Sequence, residues 1–205
     1  SIIGTTAETH ISASPEQLKY AIDELNKAIA EHGIDLITFV IGENGLDLAK
    51  KYDLPFPIIK VGNWIGPLLV QAATQKVKKI ILLGYYGKLI KLAGGIFHTH
   101  NHLADARIEI LVYLAIKQKI PLKIINTFTN SQTIDDAIKI VEAFNIEVAK
   151  KLIYEISNRV EIRSKEYIER YISSDIKVEV ILFDRDRKIR AISNTSQKMF
   201  SKILT

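Results

Sequence analysis

Apolar and polar positions change period several times along this chain, and each change marks an element. Leu18, Ile22, Leu25 and Ile29 recur at helical spacing after "SPEQ". There Ser14 can cap free amides, Pro15 suits the first turn, Gln17 completes a capping box, and Gly33 ends the stripe. The run "IDLITFVIG" from Ile34 to Gly42 is β-branched and almost wholly apolar, as expected of a strand covered on both faces. "GENG" follows, then a short helix from Leu46 to about Tyr52, and "IIKVG" as a second strand. "GNWIGP" places Gly66 as the cap of a helix that begins at Pro67 and ends near Lys76.

"KKIILLG" (78–84) predicts a third strand, and "YYGKLIKLAGG" a short helix stopped by Gly94 and Gly95. A helix from about His102 to Gln118 comes next, followed by "PLKIIN" as a fourth strand and "SQTIDDAIKIVEAF" as another helix. Strands and helices alternating at these intervals predict an α/β fold with a doubly wound, mainly parallel sheet over residues 1–144. Residues 145–205 read as an appended unit packed on that Rossmann-like domain. It has a long helix (Asn145 to Ile172) with the seam Ala149, Ile153, Ile156 and Val160. A β-hairpin around "DRDR" and a terminal helix from about Thr195 complete it.

Composition narrows the function classes. With no cysteine in 205 residues, disulfides and thiolate metal sites are excluded, which leaves histidines and carboxylates as strong metal ligands. The net charge of +5 is mild and scattered, so nucleic-acid binding finds little support, while a pocket for an anionic small molecule stays open. No apolar run approaches the roughly 20 residues that span a bilayer, and no secretory layout opens the chain, so a cytoplasmic address and no membrane partner are expected.

In an open α/β sheet, ligands gather beyond the carboxyl ends of the strands. The strand ends here are edged by glycines or small polar residues: Gly42 to Gly45, Gly62 to Gly66, Gly84 to Gly87 and Asn126 to Ser131. They match neither a phosphate-binding loop nor a complete dinucleotide fingerprint, and no acid closes the second strand to hold a ribose. "GGIFHTHNHLADAR" carries His98, His100 and His102 at alternate positions. A metal-dependent hydrolase would use them as ligands, with Asp105 as a carboxylate one turn on; but Asn101, as a helix cap, turns His102 away from His100. Asp105, Arg107 and Glu109 form either an ion-pair network or a ligand-orienting group. Lys88 and Lys91, three apart, share a helix face and either receive carboxylates or are simply solvated.

The stretch "GNWIGPLLVQAATQKVKKIILLGYYGKLIKLAGGIFHTHNHLADARIEIL" resembles the CbiD family of cobalt-precorrin-5B C-methyltransferases from anaerobic cobalamin synthesis. The likeness rests on Gly84, Gly87, Lys88, Lys91, Leu92, Ala93, Gly95, Thr99, His100, Ala104, Asp105, Arg107 and Glu109. It extends to "GTTAETHISASPEQL", "GENGLDLAKK", "VGNWIG" and "VEVILFDRDRKIRAIS". Members usually carry one histidine in the loop, at the place of His100, and an additional N-terminal domain, so the chain resembles a C-terminal portion. The resemblance implies methylation of ring carbon 1 of a corrinoid precursor by S-adenosylmethionine, the cobalt belonging to the substrate and no metal to the protein. It implies His100 and Asp105 as catalytic residues and Asn63, Lys88, Lys91, Thr99 and Arg107 as substrate-binding residues. Gly42, Gly45, Gly84 and Gly87 are the expected donor-binding positions. A homo-oligomer or an N-terminal partner domain would fit the reduced length. Two other readings stay open: the metal-dependent hydrolase, and a non-catalytic module that binds nucleotide or corrinoid.

Overall fold

The structure, a computed structural model, describes residues 15–193. The expected cap at Ser14 and the helix from Thr195 lie outside the described residues. Helix α1 (Pro15–His32) leads into β1 (Ile37–Val40), α2 (Gly42–Lys51), β2 (Ile58–Lys60), α3 (Ile65–Thr74), β3 (Lys79–Tyr85) and α4 (Tyr86–Ala93). Four helices follow: α5 (Arg107–Lys117), α6 (Leu122–Phe128), α7 (Ile134–Phe144) and α8 (Ile146–Glu169). Strands β4 (Lys177–Phe183) and β5 (Ile189–Ile192) close the order.

The five strands form one sheet in the order β2–β1–β3–β4–β5. The first four are mutually parallel, and β5 returns antiparallel to β4. Alternate side chains leave opposite faces of a strand. Phe39, Ile80, Leu82, Val178 and Val180 therefore enter the larger core with α1, α3, α4, α5, α7 and α8, while Val40, Ile81, Leu83, Ile181 and Phe183 meet Leu48 and Ala49 of α2. Burial on both faces explains the unbroken apolar runs. The helix α8 seam is where the periodicity places it: Ala149, Ile153, Ile156 and Val160 are all fully buried. No described helix is long and apolar enough to cross a membrane.

Four expectations need correction. "PLKIIN" is not a strand but the start of α6, in which Ile125 and Phe128, three apart, are the buried pair. The hairpin is not peripheral to the sheet, because β4 pairs with β3 over seven residues, from Lys79 opposite Lys177 to Tyr85 opposite Phe183. Helix α2 starts at Gly42, so "GENG" is its first turn and not an open strand end. Helix α5 starts at Arg107, five residues later than expected, because Asn101 spends its side chain on Lys91 and caps nothing.

Candidate functional site

Beyond the carboxyl ends of β2 and β3 lies a cleft of about 360 Å³. Asn63 reaches it from the turn after β2, Tyr85 from the last position of β3, and Gly87 and Lys88 from the first turn of α4. Thr99, His100, Asn101 and His102 come from the following loop, and Arg107 from the start of α5. Asn63, Lys88, Lys91, Thr99, His100 and Arg107, far apart in sequence, thus share one wall system, with Gly87 among them.

The loop is held from three directions. Asn63 and Thr99 are doubly joined: the Thr99 amide donates to the Asn63 carbonyl at 3.1 Å, and the Thr99 hydroxyl to Asn63 Oδ1 at 3.1 Å. The Gly66 amide donates to the Phe97 carbonyl at 3.0 Å, and any Cβ on Gly66 would strike Phe97 and Tyr167 at about 2.8 Å. Lys91, fully buried, donates to the carbonyls of Thr99 (3.2 Å) and Ala104 (2.7 Å) and to Asn101 Oδ1 (2.7 Å). An ammonium has three N–H donors, and the loop takes all of them. Lys91 lines the cleft but has no donor left for a ligand, which corrects its expected part in substrate binding.

Lys88 differs. It is half-buried and has no hydrogen-bond or ion-pair partner among the described residues. Burial, and secondarily the neighbouring Lys91 ammonium, pull its pKa down to about 8. A partly desolvated, unpaired cation in a cleft is a ready anion receptor.

The alternating histidines serve the backbone. His98 Nδ1 accepts the His100 amide at 3.4 Å, and His100 Nδ1 accepts the His102 amide at 3.3 Å. In neutral His100 the proton then sits on Nε2, which makes that nitrogen a donor. The His98 ring packs edge-on against Trp64 at 4.3 Å, and burial lowers its pKa. Among the described residues, no group of three or more histidines and carboxylates is arranged to hold a metal ion.

Asp105 does not orient His100. Its carboxylate is gripped by the Arg107 fork, Nε at 2.7 Å and Nη2 at 2.6 Å, and this bonding holds it below the ordinary carboxylate range. Arg107 lines both the cleft and a neighbouring cavity of about 520 Å³, where Asp105, Glu109, Thr129 and Ser131 also lie.

The four glycines do not converge. Gly87 lines the cleft, but a Cβ there would overlap the Tyr85 ring at about 2.5 Å. Gly84 is packed beneath Leu89 and Ile41, and Gly45 against Val40. Only Gly42, at φ +70°, opens onto space; it edges a separate groove of about 540 Å³ with Gly62 (φ +57°), Tyr20, Lys60 and Trp64. The Trp64 indole N–H is buried and meets no hydrogen-bond partner among the described residues.

Sequence reasoning passed over Tyr85 and Asp135. The buried Asp135 carboxylate accepts from the Tyr85 hydroxyl, from the Tyr86 hydroxyl at 3.0 Å, and from the Arg185 amide at 3.3 Å. Burial and this carboxylate push both phenols well above their ordinary range. The only sequence signal was a Tyr pair directly after an apolar strand, fifty residues from its acid.

Comparison with known proteins gives a family match and close relatives. Residues 98–194 match the family model described as CbiD, C-terminal domain. The cobalt-precorrin-5B C(1)-methyltransferase of Prochlorococcus marinus subsp. pastoris (strain CCMP1986 / NIES-2087 / MED4) is 60% identical over 201 residues, 98% of this chain and 54% of the relative. Those of strains MIT 9515 and MIT 9312 are 59% and 53% identical, over 93% and 98% of this chain and 51% and 54% of theirs. The chain spans about half the length of the curated relatives it matches. No solved structure matches it. Residues 98–194 thus match the CbiD C-terminal domain, and nearly the whole chain is similar to about half of each of these cobalt-precorrin-5B C(1)-methyltransferases.

Proposed function

We propose that the chain carries the substrate cleft of a methyltransferase acting on ring carbon 1 of cobalt-precorrin-5B, with S-adenosylmethionine as donor, in the cytoplasm. The observation that carries this reading is the meeting of Lys88, His100 and Arg107 in one cleft at the sheet rim, in a chain 60% identical to a relative of that name. The substrate is a cobalt-bearing macrocycle fringed with carboxylates. Lys88, cationic at neutral pH, supplies an ammonium to one carboxylate, and Arg107 exchanges part of its grip on Asp105 for a second. His100 Nε2–H donates to a peripheral oxygen or moves a proton at the ring edge. A volume of about 360 Å³ holds an edge of such a macrocycle, not the whole of it.

When bound, S-adenosylmethionine would supply a sulfonium methyl to which an electron-rich ring carbon forms a new carbon–carbon bond as the methyl–sulfur bond breaks and a neutral thioether leaves. The groove at Gly42 and Gly62 fits a nucleoside better than Gly45 or Gly84 does. Its two glycines leave room for a ligand to approach the backbone, and Trp64 lines it. Tyr20 gives it an aromatic wall. Transfer of a methyl to carbon demands alignment more than acid–base work, so the rigid loop around Thr99 and His100 contributes chiefly orientation.

The test is transfer of isotopically labelled methyl to cobalt-precorrin-5B. The reading expects label in the corrinoid, from the chain alone or after it is joined to the remaining half of a relative. An unlabelled corrinoid in both cases overturns it.

A further inference from the structure

Tyr85 is fixed on several sides. Beneath it, Gly87 lies so close that a Cβ would reach the ring at about 2.5 Å. At its tip the hydroxyl is bound to buried Asp135, which the Tyr86 hydroxyl and the Arg185 amide hold in turn. At its flanks Tyr86 stacks at 5.3 Å with 29° between planes, and Phe183 of β4 sits at 6.4 Å. Tyr85, half-buried, still lines the cleft together with Lys88 and Arg107.

A phenol so tied is a poor acid and base, since burial first and then the neighbouring carboxylate oppose its ionisation. What it offers is surface: a flat, immobile ring whose ordering cost has been met before any ligand arrives. We infer that Tyr85 is a specificity-determining wall against which the conjugated face of the substrate macrocycle packs, with Asp135 as the residue that positions it. This inference rests on the corrinoid reading above. The cations select carboxylates of any kind, whereas the ring selects those mounted on a flat conjugated frame. Through Asp135 the wall also depends on α7 and on the hairpin turn, which explains why residues fifty positions apart are joined here.

The test titrates the whole chain with a cobalt(III) corrinoid heptacarboxylate, following the visible bands of the corrin, and with citrate as an anion lacking the frame. Tyr85→Leu is expected to weaken corrinoid binding about tenfold and to diminish the spectral shift, with citrate binding unchanged. Tyr85→Phe, which keeps the ring, is expected to recover the shift and to bind within about threefold of the parent. Asp135→Asn is expected to fall between them. Should Tyr85→Leu fail to fold, Gly87→Ala displaces the ring from below and is expected to show the same loss. Corrinoid binding within twofold of the parent in folded Tyr85→Leu or Gly87→Ala overturns the wall while leaving the corrinoid reading intact. Failure of the unaltered chain to bind the corrinoid, both alone and joined to the remaining half of a relative, overturns both.

Discussion

The Lys91 ammonium lies 2.7 Å from Asn101 Oδ1 and 2.7 Å from the Ala104 carbonyl, so one buried cation from α4 fixes the loop that presents His100. Its pKa is lowered by burial first, with the Arg107 charge adding and Asp105 opposing. Replacement by methionine fills the space but strands the loop carbonyls. Lys91→Met is expected to cost roughly 2–4 kcal/mol in urea unfolding. It should also speed amide hydrogen exchange at Thr99, Leu103 and Ala104. Unchanged exchange there would show that the staple is not what orders the loop.

Lys88 makes the opposite prediction. Its folded pKa of about 8 lies below the ordinary lysine value, so between the two the unfolded chain holds the extra proton. Stability from this group therefore rises as pH climbs from about 8 toward 10.5, and below 8 the buried charge is a standing cost. Lys88→Met is expected to raise stability at pH 7 by on the order of 1–2 kcal/mol and to flatten that rise. Affinity for the corrinoid heptacarboxylate should behave inversely, strong below pH 8, falling above it, and weak at every pH in Lys88→Met. Paired unfolding and binding titrations from pH 6 to 10 check both halves.

Asp105 and Arg107 form a half-exposed fork, so little stability hangs on it but much geometry does. Arg107→Lys keeps the charge and loses the paired N–H groups. Corrinoid affinity is expected to drop about tenfold while unfolding free energy moves by less than about 1 kcal/mol. Because the folded Asp105 pKa is depressed, its contribution is present above the ordinary carboxylate pKa and is lost as pH falls through the folded value. Acid unfolding of Asp105→Asn should show a correspondingly shallower dependence in that range.

Asn145 supplies a control far from the cleft. It caps α8, accepting the amides of Glu147 at 2.9 Å and Val148 at 3.2 Å. Asn145→Ala is expected to cost about 1 kcal/mol in thermal unfolding, with corrinoid affinity unchanged.

The sheet rim was legible in the sequence because strands buried on both faces write long apolar runs, and because residues in the loops after them belong to one place by topology. Topology put those loops at one rim, and the resemblance to the CbiD family named Asn63, Lys88, His100 and Arg107 within them. Short apolar runs carry less: "PLKIIN" has no period long enough to choose between strand and helix, and the helix α6 pair Ile125 and Phe128 decided it. Spacing also put Lys88 and Lys91 on one face without showing that Lys91 is wholly buried, with its ammonium spent on the loop from Thr99 to Ala104. The partnership of Tyr85 with Asp135 left no local trace at all. A hydrogen bond between the end of β3 and the start of α7 is written only in the tertiary fold.

The most direct test of the rim cleft is a map of backbone amide shifts in nuclear magnetic resonance as the diamagnetic cobalt(III) corrinoid heptacarboxylate is added. The largest changes are predicted at Asn63, Gly87, Lys88, Thr99, His100 and Arg107. Changes concentrated instead at the opposite end of the sheet, in the cavity between Lys76 to Lys79 and Ser173 to Lys177, would contradict the account.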